Sequence, residues 1–445
     1  MKRTFIISFA FISLSITGQN TNPYAGSSLP DVTIMKNPTY QDFQVQRPQF
    51  NPANTNDPFG VGDYDKVQRQ NQQIMDEVAE YERRTAQRNQ PQSDIQMLAS
   101  KGFPSQSYQS GTSNYYTAFE EINNMLDDKQ PLNLGRAIFL IENAYYNNTL
   151  NYDDYQKTIT DQIKVCNEKI REEKLNKESN LAKNMMLFRL ISDTLKIKPS
   201  GMEKPITHYP IKYDLDDYKS EKHFDSHFVT KLMKSGSGQC MSMPLYYLVL
   251  AEKIGAKAYL AYSPHHSFIK IQDNDGTWYN LELTCNAVLS DAHYMNSGYI
   301  KAEAIRSRIY LEPMDKKEVV AQMLTELARG YYEKYGLDNF YLNCANTAIK
   351  HSNNQLNPLI MKAFYEERLT ATLAKLLQAP KPEIMQQKSP EAYKHYEKTQ
   401  ALYNQIDNLG YEKTPDAIYA TWLQHINGLK AKENKRKSLM KSSLK

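Results

Sequence analysis

An α+β fold is predicted for this chain, and three observations predict it. Apolar residues recur every three or four positions from about Tyr115 to Ile197, and again after Pro313, which is the period of helices. Between those regions, residues 256–262, 267–272 and 278–283 read as short strands. The last two are joined by Asp273-Asn274-Asp275-Gly276, a strong hairpin signal. Helices first and an antiparallel meander afterwards is the α+β order, not the alternating one of a parallel sheet.

The elements follow in order along 445 residues, a length that predicts more than one compact domain plus unstructured segments. Lys2 and Arg3 precede an apolar run at 4–16, with Thr17 and Gly18 after it. Residues 1–18 are therefore expected to be a secretory signal cut before Gln19, and the protein to be periplasmic or secreted. The run is too short to span a bilayer, no cysteine near it could take a lipid, and an integral membrane protein is not expected. Residues 19–113 are rich in Asn, Gln, Pro, Ser and Gly, and are expected to be a disordered or low-complexity linker. Within them 65–88 has weak helical periodicity, consistent with a docking helix or a transient one. Residues 114–183 are expected to be helical, with one apolar face marked by Tyr155, Ile159, Ile163, Cys166 and Ile170. A core domain is expected at 184–312. Residues 313–429 read as helices, and Leu327, Ala328, Tyr332, Gly336, Tyr341, Ala345 and Ala348 fall at the offsets of one tetratricopeptide-like repeat. Residues 430–445 form a basic tail.

A net charge of +4 and the absence of arginine-rich aromatic patches point away from nucleic acid. Four widely spaced cysteines form neither a disulfide framework nor a metal knuckle. Cys166 and Cys344 sit on helical patterns as core fillers, while Cys240 stands apart by its context. It lies in Gly238-Gln239-Cys240-Met241-Ser242-Met243-Pro244, just before the apolar run 245–251. Proline is tolerated only in a helix's first turn, so Cys240 sits at or before a helix N-terminus, where the peptide dipoles favour a thiolate. Then come Pro264-His265-His266-Ser267-Phe268 and Trp278-Tyr279-Asn280-Leu281-Glu282. Nucleophile, base and orienting carboxylate appear in that order.

These three blocks resemble the transglutaminase-like (papain-like) cysteine hydrolase superfamily, and more narrowly its exported bacterial branch with tetratricopeptide-like helices after the core. The resemblance covers about 184–311 and rests on Gly238-Gln239-Cys240, on His266-x-Phe268, and on Trp278 followed by Glu282 and Thr284. It implies a catalytic Cys240, His266 and Glu282. Glutamate stands where the family usually has aspartate, and Asn280, on the same strand face, is an alternative orienter. The doubled histidine leaves His265 as a second candidate base, with the spacing to Trp278 favouring His266. Gln239 is the nearest side-chain amide to serve as an oxyanion donor beside the Cys240 N–H. The resemblance implies an exported peptidase or amidase that needs no cofactor or metal and takes a protein or peptide substrate. Cell-wall peptides would be within its reach. The C-terminal helices would hold a protein partner. The opposing possibility is a catalytically silent protein-binding module on the same scaffold.

Two further patterns were weighed. Asp273-Asn274-Asp275-Gly276 resembles the start of a calcium loop, but the twelfth position is Thr284 where such loops carry glutamate, so a hairpin turn is expected. His223 and His227 have the i, i+4 spacing of zinc ligands but lack a third ligand.

Overall fold

The computed structural model describes residues 72–80, 92–198, 204–217, 220, 222–298, 300–412 and 428. The expected signal, most of the 19–113 segment, nearly all of the last stretch of the expected helices (413–429) and the basic tail lie outside the described residues. The chain divides into two compact units. Of the described residues, 103–368 and 396–412 belong to the first, and 72–80, 92–102 and 369–395 to the second.

The first unit opens with four helices: α1 (Thr112–Leu126), α2 (Leu134–Tyr145), α3 (Tyr152–Glu172) and α4 (Asn180–Ser192). Three have side-chain caps, with Asn133, Asn151 and Ser179 accepting from the first-turn N–H groups of α2, α3 and α4. The buried face of α3 is the stripe Tyr155, Ile159, Ile163, Cys166 and Ile170. Two short ribbons follow, β1 (Leu195–Ile197) antiparallel to β2 (Ile206–His208), and β3 (Lys212–Tyr213) parallel to β4 (Ser237–Gly238). Between β3 and β4 lie a 3₁₀ turn (Phe224–His227) and α5 (Val229–Ser235). Helix α6 (Ser242–Ile254) precedes a four-stranded antiparallel meander of β5 (Tyr259–Ser263), β6 (His266–Gln272), β7 (Trp278–Glu282) and β8 (Ala287–Leu289). Residues 311 and 314 donate backbone hydrogen bonds to Tyr262 and Leu260, covering the outer edge of β5. The short helices α7 (Asp291–Gly298) and α8 (Ala302–Arg306) come next. They are followed by α9 (Lys316–Tyr335), α10 (Asn339–His351) and α11 (Leu356–Leu376).

Helix α9 is buried without a break from Val319 to Tyr331 and packs against α1, α2 and α10. A helix buried on every side is a central element, so the N-terminal helices and the C-terminal helices share one core. The boundaries expected near 183 and 313 are therefore not seams. Gln322, Thr325, Glu326 and Arg329 interrupt the apolar pattern of α9, yet all four are buried. The end of the expected linker is also part of the first unit. The Phe103 N–H donates to the Tyr365 hydroxyl (3.1 Å), and the Gln106 N–H to Asp338 Oδ2 (2.8 Å). Backbone groups of a polar segment are held here by buried acceptors, which composition does not reveal.

In the second unit, the helical residues 92–101 bury Leu98 and Ala99, and α12 (Pro382–Lys388) buries Met385. His395 Nε2 lies 2.9 Å from the carbonyl of Ala99. Helix α13 (Pro390–Asn408) completes the described elements.

Candidate active site

Close packing sets where Cys240 sits. A Cβ on Gly238 would come within 2.4 Å of Leu232 and 2.9 Å of Met243, so only glycine fits where β4 turns toward Cys240. Pro244 is the third residue of α6, where its missing N–H has no intrahelical partner to lose. The helix is buried from Ser242 to Ala251, and Gly255 (φ 70°) ends it. Cys240, in the turn that opens this helix, is only 2% exposed. The Ser267 hydroxyl on β6 donates to its carbonyl at 2.5 Å, tying the helix start to the sheet.

His266 opens β6 immediately after a two-residue turn, Pro264-His265. Its Nε2 is 2.5 Å from Glu282 Oε2 at the end of β7. This leaves Nδ1 for the Cys240 side chain, whose hydrogen bond favours the charged ring. Continuing the β6–β7 register past Ile269↔Leu281 sets Glu282 opposite Phe268, two residues along the same face from His266. The contact is therefore a diagonal one, and the extra methylene of glutamate spans it.

The Glu282 carboxylate is saturated. Besides His266, Oε2 accepts from the Tyr294 hydroxyl (2.9 Å), while Oε1 accepts from the Thr284 N–H (3.0 Å) and hydroxyl (2.7 Å). Burial opposes charge on both partners. On Glu282 the imidazole and the Thr284 bonds outweigh it and hold the carboxyl at about 2. On His266 the Glu282 charge and the bonds from Cys240 and Glu282 outweigh it and raise the ring to about 10. The arrangement is a thiol beside an imidazolium beside a fixed carboxylate.

The other residues singled out in the sequence are placed elsewhere. Asn280 is directed at Asp291, to which its amide donates at 2.8 Å, and does not orient the histidine. It shares Asp291 with Lys270 (2.7 Å), and Asp291 begins α7, the helix that carries Tyr294. His265 is the second residue of the turn, with φ 58°, and burial lowers its ring to about 4. The Gln239 amide donates to the Asp217 carbonyl and its oxygen accepts from Ser220 (2.8 Å), so this side chain is engaged by those two residues. The turn at Asp273 is a hairpin, with Asp273 Oδ1 accepting from the N–H groups of Asp275 and Thr277. His227 lies in the 3₁₀ turn and is 3.0 Å from Glu326. Among the described residues, no cluster of three or more His, Cys, Asp or Glu is arranged to hold a metal, and no helix is long and apolar enough to cross a membrane.

Tyr294 went unnoticed in the sequence because nothing local marks a helix residue twelve positions beyond Glu282. Thr284 had a signal, since a hydroxyl two residues after a carboxylate closes a local side-chain turn. All four cysteines are free. Cys166 and Cys344 are fully buried, and burial pushes the Cys166 thiol up to about 12 and raises that of Cys344 as well. Cys285 is exposed, with its thiol also raised by partial burial and by Glu282.

A cleft opens beside His266 and Met241. Its far wall comes from Ile309, Tyr310, Leu356, Ile360 and Tyr411, so the C-terminal helices contribute directly to the surroundings of the site. No family model matches this chain, and neither does any curated protein or solved structure.

Proposed function

We propose that the protein is a cysteine-dependent acyl-transfer enzyme of the transglutaminase-like kind, acting as a peptidase or amidase. One observation carries the reading: Cys240, His266 and a fully hydrogen-bonded Glu282 stand in a chain, with the imidazole as the central proton carrier. Cys240 Sγ attacks the amide carbonyl while its proton resides on His266 Nδ1. The carbonyl electrons move to oxygen, to which the Cys240 N–H donates a hydrogen bond. Collapse breaks the C–N bond, and the amine leaves with the proton from His266. Water then gives a proton to His266 and its oxygen to the thioester carbon. The carboxylic acid departs, and the thiolate–imidazolium pair is restored. Glu282 keeps the ring oriented and stabilises its charge throughout.

The burial of Cys240 favours the alternative, a silent core retained as a binding scaffold. Native alkylation with iodoacetamide separates the two, read by peptide mass spectrometry. Exposure alone would label Cys285 first, so faster labelling of Cys240 reflects thiolate activation. Labelling of Cys240 no faster than of Cys285 sinks the enzyme reading.

A further inference from the structure

The cleft next to His266 has a polar side, from Ser263, His265, His266 and Ser267, and a far side of specific chemistry. The walls of that far side are apolar or aromatic: Ile309 and Tyr310 ahead of α9, Leu356 and Ile360 on the first turns of α11, and Tyr411 beyond α13. They are held rigidly. Asn354 donates to the Ile309 carbonyl (2.9 Å) and accepts from the Leu356 N–H (3.2 Å), fixing one wall to the other. Among the described residues no lysine or arginine lines the cleft. Its only carboxylate, Glu412, is at the rim and pairs with Lys301 at 3.0 Å. His265, at the catalytic end, is kept neutral near pH 7 by burial. His266, the charged group at the catalytic end, is already paired with Glu282, so the apolar side offers no countercharge to a ligand, and burying an uncompensated charge is expensive.

Resting on the acyl-transfer reading above, we infer that this cleft selects the substrate: an uncharged peptide segment that places a bulky apolar side chain against Tyr310, Leu356 and Ile360, next to the bond cleaved at Cys240. The site thus joins reactive groups from the strand meander to a selecting wall from the C-terminal helices.

The test uses the full chain with Cys240→Ala, which prevents turnover, titrated calorimetrically with capped tetrapeptides that differ at one residue, Phe, Glu or Lys. The Phe peptide is expected to bind about ten-fold or more tightly than either charged one. Asn357→Lys places a cation in the cleft at a half-buried position, and is expected to narrow or invert the Phe-over-Glu ratio without helping the Lys peptide. Equal affinities, a charged peptide preferred by the parent chain, or no binding of any peptide would overturn the inference. So would an unchanged ratio in Asn357→Lys. Because binding is read without the thiol, failure here is distinct from failure of the enzyme reading, which the alkylation experiment reports separately.

Discussion

Two buried histidine–glutamate pairs lie within the first unit, and they do different work. His266–Glu282 is 2.5 Å apart, its histidine side chain is 24% exposed, and it faces a thiol and a cleft. His227–Glu326 is 3.0 Å apart and sealed, with side chains 6% and 2% exposed. The second pair has a third member, Arg329, 2.9 Å from the same carboxylate, and the guanidinium lies over the Phe224 ring. There burial opposes the charge of Glu326, but Arg329 and His227 together outweigh it and hold the carboxyl at about 2. Arginine is a permanent cation, so the charge at that site is balanced whatever the proton does. At the first site the imidazole is the only cation touching the carboxylate, so the proton itself is the counter-ion. A buried pair with a fixed countercharge is structural, and one whose countercharge is a movable proton is suited to chemistry.

Substitutions should break this comparison unevenly. The largest expected effect is from His266→Ala, which removes the proton carrier and should lower turnover, and with it Cys240 alkylation, by about four orders of magnitude or more in turnover. His227→Ala should leave Cys240 labelling in place. Labelling that follows His227 instead would reverse the assignment of the two pairs.

Next come the carboxylates. Glu282→Gln is expected to cut turnover by about two orders of magnitude or more while the fold survives. Glu326→Gln should act the other way, destabilising by about 3–5 kcal/mol because Arg329 is left buried without its partner. Thermal melts and labelling rates on both variants separate these outcomes.

The pH dependence of stability sharpens the contrast. The raised His266 contributes stability that is full below its ordinary 6.5 and is lost as pH rises through about 10. The lowered Glu282 contributes stability that is full above its ordinary 4.5 and is lost as pH falls through about 2. The Tm difference between wild type and Glu282→Gln should therefore be greatest between about pH 4.5 and 6.5 and shrink on the alkaline side. The Glu326→Gln difference should persist there, because Arg329 does not titrate. The smallest effect is expected from Tyr294→Phe, which removes one of four bonds to Glu282, roughly ten-fold or less in turnover.

The sequence made the pair at the site legible and the other one obscure. Cys240, His266 and Glu282 were readable because each is fixed by local grammar: a proline in a helix's first turn, a doubled histidine at a strand start, and a hairpin that returns the chain. The α3 stripe was readable for the same reason, since its period is local. The Glu326 cluster was hidden, because polar residues that satisfy one another inside α9 have the same pattern as a solvated face. Tyr294, the Lys270–Asp291–Asn280 contacts and the cleft wall were hidden too, being made by residues that only the folded chain brings together. Gln239 illustrates the converse. Its position suggested catalysis, and tertiary contacts engage it with Asp217 and Ser220 instead.

The central position of α9 has a consequence for how the chain comes to be folded. Tyr115 in α1 donates its hydroxyl to the Gly330 carbonyl, 215 residues away, and stacks edge-on against Tyr331. The first helices to leave the ribosome cannot complete their core until the α9 segment has followed them. Contacts of such long sequence range form slowly and expose apolar surface meanwhile. Synthesis therefore passes Cys240 well before the protein can close around it, and the cleft wall from α11 arrives later still. A polypeptide stopped after Leu311 is not a smaller protein but an unfinished one, which makes the first unit indivisible in time as well as in space.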